Sequence, residues 1–249
     1  MSRKENLIKK LYKSILNLLF PEEGICFYCD QYCEEIKEDH LCSDCRDKLS
    51  FINEEKCPFC GKPIYQVDSS KRCRYCANKT FYFTKVISPL EFSGFLRKAI
   101  YKYKYESKPY MYKSFGEFMI KALKKENLET MDFVVPVPLH RTRKGERGYN
   151  QAELLAKYIS LKMEIPLDVK NLKRIKATKT QNKLGRHERE QNIKDAFKIR
   201  DGRVYKDKRI LLVDDIFTTG STVNECSRIL IEHGAAEVYV ITIATGRYS

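Results

Sequence analysis

One short segment constrains the fold of this chain more than any other. An apolar run at 209–213 is followed directly by two adjacent carboxylates and then by a loop of small residues around a glycine. These residues are Asp214, Asp215, Thr218, Thr219, Gly220, Ser221 and Thr222. The run predicts a buried strand that stops at the carboxylates, and the loop predicts the start of a helix over 222–233. This order favours an anion at the loop, because amide N–H groups at a helix start and hydroxyl groups both donate to oxyanions.

The acidic pair adds a second requirement. Two neighbouring carboxylates repel each other unless a ligand or a metal lies beside them. At the carboxyl end of a strand they suit sugar hydroxyls or a hard divalent cation. The alternative is an ordinary strand–turn–helix connection in which a serine or threonine caps the helix, and it does not explain why Asp214 and Asp215 are adjacent.

Strand and helix patterns alternate along much of the chain. Strands are predicted at 85–92, 132–137, 209–213 and 237–244, and helices at 94–105, 150–162 and 222–233, with 119–123 inside another helix. This alternation implies an α/β fold with a mostly parallel sheet and crossover helices. The polar, aperiodic stretch 176–196 is longer than most connections that only join two elements of a compact domain, so we predict a functional loop there.

Cysteine spacing predicts a separate metal module before this fold. Eight of the ten cysteines form four Cys-x-x-Cys pairs, with twelve residues between the first two pairs and again between the last two. They are Cys26, Cys29, Cys42, Cys45, Cys57, Cys60, Cys73 and Cys76. Sequential pairing would surround two structural Zn²⁺ ions with sulfurs at about 2.3 Å. Interleaved pairing and redox dithiols are the alternatives, although four pairs exceed what a redox site needs.

The composition limits the classes of binding partner but does not decide among them. The formal net charge of +14 favours nucleic acid, an anionic membrane surface or phosphorylated ligands. We expect no transmembrane segment and no export signal, and hence a cytoplasmic location with reduced thiols. We also predict an amphipathic helix at 4–19. The alternatives for this helix are packing on its own domain, binding peripherally at the inner membrane face, and binding a partner protein.

The segment 209–222 resembles the phosphoribosyl pyrophosphate (PRPP) motif of type I phosphoribosyltransferases. In that family the acidic pair contacts the ribose 2- and 3-hydroxyls, and the following loop holds the 5-phosphate. The resemblance implies PRPP with Mg²⁺ as the ligand. Together with the helix pattern, the cysteine spacing and the change in composition at Phe81, it predicts an amphipathic helix at 1–22, a double zinc-ribbon module at 23–80 and a phosphoribosyltransferase-fold domain at 81–249. Members acting on 6-oxopurines carry an acidic residue where this chain has Thr218, so hypoxanthine and guanine are not expected substrates.

Further motifs resemble the ComF family over nearly the whole chain. They are the run 135–151, the run 180–193, Leu96 with Arg97, Lys104 with Tyr105, and the cysteine module. The family implies a role in natural transformation, in handling incoming single-stranded DNA. It also implies a helicase or membrane-channel protein of DNA uptake as a partner.

The resemblance also suggests roles for two basic segments. The segment after the strand 132–137 is predicted to be a loop that binds pyrophosphate through Arg141, Arg143, Lys144 and Arg147. The stretch 176–196 corresponds to a loop that closes over the reacting sugar. Its candidate residues are Thr180, Gln181, Arg186 and Arg189. The alternatives are a basic surface loop and a solvated charged loop.

A stretch rich in lysine and tyrosine is the nucleic-acid candidate. Its residues are Tyr101, Lys102, Lys104, Tyr105, Lys108 and Tyr112. Lysines can follow phosphates while tyrosine rings stack on unpaired bases, although the same stretch could pack as a hood over the sheet. Three functions stay open, because a fold alone does not decide among them. They are a single-stranded-DNA-handling protein that binds PRPP or a related phosphate, an active phosphoribosyltransferase with an unknown acceptor, and a zinc-ribbon adaptor for a DNA-uptake partner.

Overall fold

The structure, a computed structural model, describes residues 24–53, 55–64, 73–77, 79–106, 108–177 and 193–246. The helix predicted at 4–19 lies outside these ranges, and so do the loop candidates Thr180, Gln181, Arg186 and Arg189. Within the described ranges, no helix combines the length and the apolar character needed to cross a bilayer.

A parallel sheet forms the centre of the molecule. The strands are β1 (Lys85–Ile87), β2 (Leu90–Glu91), β3 (Phe133–Pro136), β4 (Leu172–Arg174), β5 (Phe197–Ile199), β6 (Arg209–Phe217) and β7 (Glu237–Thr245). β6 lies between β3 and β7, and both β1 and β2 pair with the other edge of β7. All these pairings are parallel, whereas β4 and β5 form a separate antiparallel pair. The predicted α/β fold with a mostly parallel sheet is confirmed.

Helices cover the sheet on both faces. The helices of the described residues are α1 (Ser43–Asp47), α2 (Gly94–Tyr105), α3 (Tyr112–Lys125), α4 (Arg141–Arg147), α5 (Gln151–Met163) and α6 (Ser221–Glu232), with 3-10 turns at Pro109–Met111 and Gly202–Tyr205. One buried layer contains residues of α2, α3 and α5, and the other contains α6 with β4 and β5. Leu211 and Val213 of β6 belong to the first layer, while Ile210 and Leu212 belong to the second. A strand buried on both faces needs successive apolar residues, which explains the unbroken run.

Two strand predictions were wrong in their bounds. The strand predicted at 85–92 is interrupted, because β1 ends at Ile87 and β2 begins at Leu90. Pro89 lies between them and has no N–H to donate to a neighbouring strand. β6 does not stop before the carboxylates but continues to Phe217, because β7 runs beside it as far as Thr245.

Two cysteine ribbons pack into different layers of the molecule. The first ribbon (residues 24–53) buries Cys26 and Phe27 in the layer of α2 and α3. The second ribbon (residues 55–64 and 73–77) buries Cys57 in the layer of α6. It packs closely, since Gly61 has a φ of +66° and a Cβ at that position would lie 2.4 Å from the carbonyl oxygen of Val86 in β1.

Candidate functional site

A cavity of about 530 Å³ opens at the carboxyl ends of β3 and β6, the usual ligand position in a parallel sheet. All seven residues predicted to bind PRPP line it, namely Asp214, Asp215, Thr218, Thr219, Gly220, Ser221 and Thr222. It is also lined by Arg143 and Arg147 from the predicted pyrophosphate set, and by Tyr101, Lys104 and Tyr105 from the predicted nucleic-acid set. Residues from three separately predicted groups therefore share one site.

We call residues 218–222, which lead from the end of β6 into the start of α6, the phosphate loop after their predicted ligand. Gly220 has a φ of +72°, and a Cβ there would lie 2.7 Å from the Phe217 ring, so the position requires glycine. The hydroxyl oxygens of Thr219 and Ser221 lie 2.9 Å apart, and α6 begins at Ser221. The loop thus gathers hydroxyl groups at the start of a 12-residue helix, where the helix dipole favours an anion.

The acidic pair lines the cavity beside this loop. The Asp215 amide donates to Asp214 Oδ1 at 2.8 Å, and Lys104 Nζ lies 2.6 Å from Asp215 Oδ2. Burial, and after it the nearby charge of Asp215, raise the pKa of Asp214 to about 7. Lys104 and Arg174 oppose this rise in the pKa. A ligand that brings a cation or a hydrogen-bond donor would therefore stabilise the ionised carboxylate.

Five basic side chains line the same cavity, namely Arg97, Lys104, Arg143, Arg147 and Arg174. Burial lowers the pKa of the Arg143 guanidinium, and the nearby charge of Arg147 lowers it further. Burial also lowers the pKa of Arg174, with a contribution from Arg143. Cations that are crowded together and partly removed from water favour the binding of an anion.

Arg174 was missed by sequence reasoning. It is the last residue of β4, which pairs with β5 rather than with the central sheet. Tertiary packing alone brings its charge close enough to affect the pKa of Asp214. The one sequence signal that could have found it is its position just before the predicted closing loop at 176–196.

The predicted pyrophosphate loop is a helix, which corrects the prediction of its conformation. α4 spans the whole basic segment and ends at Gly148, which has a φ of +76°. Side chains four residues apart share a helix face, so Arg143 and Arg147 both reach the cavity. Arg141 and Lys144 lie outside the cavity lining and are exposed. The helix therefore divides the predicted set into two residues in the site and two on the surface.

Two of the nucleic-acid candidates form an exposed aromatic surface. Tyr101 and Tyr105 are 57% and 47% exposed, and their ring centroids lie 5.0 Å apart. The Arg147 guanidinium lies 4.8 Å from the centroid of the Tyr105 ring and donates to its hydroxyl at 2.9 Å. We call these three residues the tyrosine platform. They line the same cavity as the phosphate loop.

The other nucleic-acid candidates have neighbours elsewhere. Lys108 Nζ lies 2.5 Å from Asp30 Oδ2 in the first ribbon. The ring of Tyr112 packs edge-on against that of Tyr158, with centroids 5.6 Å apart. Lys102 is half-buried on α2. These contacts favour the packed alternative for Lys108 and Tyr112, whereas Tyr101 and Tyr105 are exposed.

Each ribbon contains a candidate zinc site. Four sulfurs lie within 4.8 Å of one another in each, formed by Cys26, Cys29, Cys42 and Cys45 and by Cys57, Cys60, Cys73 and Cys76. Sulfurs around a tetrahedral zinc ion with 2.3 Å bonds lie about 3.8 Å apart. The sulfurs of Cys29 and Cys42 are 3.9 Å apart, and those of Cys60 and Cys73 are 3.5 Å apart. The donor sets therefore fit zinc, paired sequentially along the chain.

Two family models match this chain. One is described as a double zinc ribbon domain and matches residues 15–77, and the other as a phosphoribosyl transferase domain and matches residues 146–248. The match to the first, together with the two cysteine clusters, indicates structural zinc. The match to the second agrees with the parallel sheet and its covering helices.

Relatives match over most of their length. Competence protein F of Haemophilus influenzae is 29% identical over 88% of this chain and 96% of its own. DNA utilization protein YhgH of Escherichia coli K12 is 28% identical over 87% of this chain and 95% of its own. Competence protein ComFC of Bacillus subtilis is 26% identical over 85% of this chain and 90% of its own.

Among solved structures, glutamine phosphoribosylpyrophosphate amidotransferase from B. subtilis covers 56% of this chain and 30% of its own, with 22% identity and a TM-score of 0.38. That likeness is too loose to support a conclusion. The relatives and the two family models do support one: the chain is a homologue of the ComF and ComFC competence proteins, with a double zinc ribbon before a phosphoribosyltransferase domain.

Proposed function

We propose that the cavity binds PRPP or a closely related phosphorylated ligand. The observation that carries this proposal is that the phosphate loop, the acidic pair and five basic side chains line one cavity. PRPP offers a phosphate, two neighbouring ring hydroxyls and a pyrophosphate. The cavity has a chemically suited group for each of them.

Each part of the ligand has a partner in this proposal. The phosphate loop donates amide and hydroxyl hydrogen bonds to the 5-phosphate. Asp214 and Asp215 accept hydrogen bonds from the ribose hydroxyls, which offsets the burial that raises the pKa of Asp214. Arg143, Arg147 and Arg174 neutralise the pyrophosphate through charge-assisted hydrogen bonds.

Mg²⁺ fits the acidic pair, because carboxylate oxygens are the ligands that it prefers in proteins. Asp214 and Asp215 would hold it, and when bound it would neutralise part of the pyrophosphate charge. Lys104 Nζ already lies 2.6 Å from Asp215 Oδ2. A metal ion that reaches this oxygen therefore has to displace the ammonium group.

Transfer of the phosphoribosyl group to an acceptor is a second candidate function. Position 218 carries a threonine, so a general base is missing where 6-oxopurine enzymes have one. The acceptor would therefore be of another class. The tyrosine platform favours one with an aromatic or heteroaromatic ring, because its exposed rings line the same cavity.

We further propose that the protein handles single-stranded DNA in competence. The names of its relatives refer to competence or to DNA utilization. The net charge of +14 attracts polyanions of any sequence. The exposed rings of Tyr101 and Tyr105 offer stacking faces that unpaired bases can use and paired bases cannot. A helicase or membrane-channel protein of DNA uptake remains the proposed protein partner.

Calorimetric titration with PRPP and Mg²⁺ tests the ligand proposal. The double variant Asp214→Asn with Asp215→Asn should bind at least about tenfold more weakly, since a hydrogen bond to a charged group contributes roughly 1.5–3 kcal/mol. Asp207→Asn changes an exposed carboxylate outside the cavity and should bind like the parent. Equal affinities of the folded double variant and the parent would rule out contact between the acidic pair and the ribose.

A further inference from the structure

The second ribbon contacts the phosphate loop directly. Tyr75 lies between Cys73 and Cys76 and is only 7% exposed. Its hydroxyl donates a hydrogen bond to the main-chain carbonyl of Thr219. Thr219 precedes Gly220 in the phosphate loop. A side chain of the zinc module therefore fixes one peptide group of the proposed ligand site.

The bonded carbonyl determines where the next amide points. The C=O and N–H groups of a trans peptide point in opposite directions, and the described residues contain no cis peptide bond. A Thr219 carbonyl turned toward the ribbon therefore turns the Gly220 N–H away from it. Glycine makes other backbone conformations accessible, so this peptide could rotate if nothing held it. After such a rotation a carbonyl oxygen would replace the amide donor, and it would repel a phosphate.

Tyr75 is itself held between cations and aromatic rings. The ammonium group of Lys62, a residue only 5% exposed, lies 5.1 Å from the Tyr75 ring centroid and 5.9 Å from that of Phe217. Lys79 Nζ lies 4.6 Å from the centroid of the Tyr75 ring. The Phe81 ring stacks on the Tyr75 ring, with centroids 6.1 Å apart. Two zinc-ligand candidates flank Tyr75, so metal binding would also fix its backbone.

We propose that Tyr75 is a positioning residue, through which the second zinc site holds the phosphate loop in its binding conformation. This inference rests on the proposed phosphate ligand at that loop. Zinc at the second ribbon and the ligand at the loop then stabilise each other. Because such coupling is reciprocal, the ligand should strengthen zinc binding at this ribbon by the same factor as zinc strengthens ligand binding.

The first ribbon offers a matched control. Tyr28 also lies directly before the second cysteine of a Cys-x-x-Cys pair, and it is buried. Its ring packs against Phe95 of α2 and Phe115 of α3, with centroids 5.7 Å apart in both cases. Tyr28→Phe therefore removes a buried hydroxyl from the first ribbon and leaves the second ribbon intact.

Tyr75→Phe and Tyr28→Phe should be compared with the parent as full, zinc-loaded chains. Without ligand, amide hydrogen exchange of the phosphate loop should be about 2- to 12-fold faster in Tyr75→Phe, the equivalent of one lost hydrogen bond. It should be unchanged in Tyr28→Phe. PRPP titrated with Mg²⁺ should bind Tyr75→Phe more weakly by a similar factor and Tyr28→Phe with the parent affinity.

Zinc extraction by a chelator supplies the linked measurement. PRPP should protect one zinc ion from extraction in the parent and in Tyr28→Phe, and this protection should be smaller in Tyr75→Phe. Equal loop exchange in Tyr75→Phe and the parent would overturn the positioning role, whatever the ligand does. Equal zinc protection in these two proteins would overturn the coupling. Failure of the parent to bind PRPP would contradict the proposed ligand site. The hydrogen exchange measured without ligand would still decide whether Tyr75 positions the loop.

Discussion

The two zinc ribbons share one cysteine spacing but contact different walls of the cavity. In each ribbon four sulfurs lie within 4.8 Å of one another. The first ribbon packs against α2 and α3, for example through Tyr28, whose ring centroid lies 5.7 Å from that of Phe95. The second ribbon packs against β1 and against the phosphate loop, where Tyr75 donates to Thr219. Similar sulfur clusters thus have different neighbours.

This difference shows that ligand spacing determines the local geometry of a ribbon, while the residues between the ligands determine what it supports. α2, on which the first ribbon packs, carries Lys104 and two members of the tyrosine platform. The phosphate loop is bonded to the second ribbon. We therefore expect damage to the first ribbon to affect nucleic-acid binding more, and damage to the second to affect phosphate binding more.

The largest expected effect comes from removing one zinc ligand at a time. Cys45→Ser and Cys76→Ser each change the last ligand of one ribbon and should each lower the zinc content by about one ion per chain. Cys76→Ser should weaken PRPP binding by at least about tenfold, and Cys45→Ser by less than about threefold. The reason is that the local fold beside the phosphate loop depends on its metal. Elemental analysis measures the zinc content and calorimetry measures the PRPP affinity. Equal losses of PRPP affinity in the two variants would contradict the different roles of the two ribbons.

A second effect, on DNA affinity, is expected at the tyrosine platform. Tyr101→Ala with Tyr105→Ala should weaken single-strand binding by about 5- to 150-fold per stacked base, because stacking contributes roughly 1–3 kcal/mol per base. PRPP affinity should change less than DNA affinity, through the lost contact between Tyr105 and Arg147 alone. Tyr32→Ala is the control, since Tyr32 is 73% exposed in the first ribbon and lies outside the cavity lining. Fluorescence anisotropy with single-stranded and duplex DNA makes the measurement, and a single-strand preference that survives the double change would locate the stacking surface elsewhere.

A third effect is a pH dependence of stability at Asp214, which lines the cavity beside the phosphate loop. Burial raises the pKa of Asp214 from 3.8 to about 7 in the folded chain. The folded state therefore keeps a proton that the unfolded state loses. The stabilising contribution of this proton is full below about pH 4 and disappears as the pH rises through about 7. Between about pH 5 and about pH 8, urea unfolding should show the parent losing stability relative to Asp214→Asn, and a constant difference would exclude the raised pKa.

Much of the fold could be predicted because its signals are local. The periodicity of Gly94–Tyr105 predicts α2 with its observed bounds, and the cysteine spacing predicts both sulfur clusters. Pairing between distant strands has no such local signal. β6 reaches Phe217 because β7 runs beside it, and that partner is not visible in the sequence of β6.

The candidate site also has a part that local sequence signals predict and a part that they do not. Its phosphate loop and acidic pair are contiguous, so one motif identifies them together. The ion pair of Lys104 with Asp215 and the contact of Tyr75 with Thr219 depend on tertiary packing, the latter across 144 residues. The basic segment Arg141–Arg147 is predicted to be a loop because it lacks an apolar stripe. It forms a helix instead, and the face that lines the cavity carries Arg143 and Arg147.

A crystal structure of the full chain with PRPP and Mg²⁺ tests most directly whether the phosphate loop and the acidic pair form a PRPP site. We predict the 5-phosphate at residues 218–222 and the ribose hydroxyls within hydrogen-bond distance of Asp214 and Asp215. The Tyr75 hydroxyl should still donate to the Thr219 carbonyl. PRPP bound outside this cavity, or bound inside it with its ribose away from the acidic pair, would contradict the proposed site.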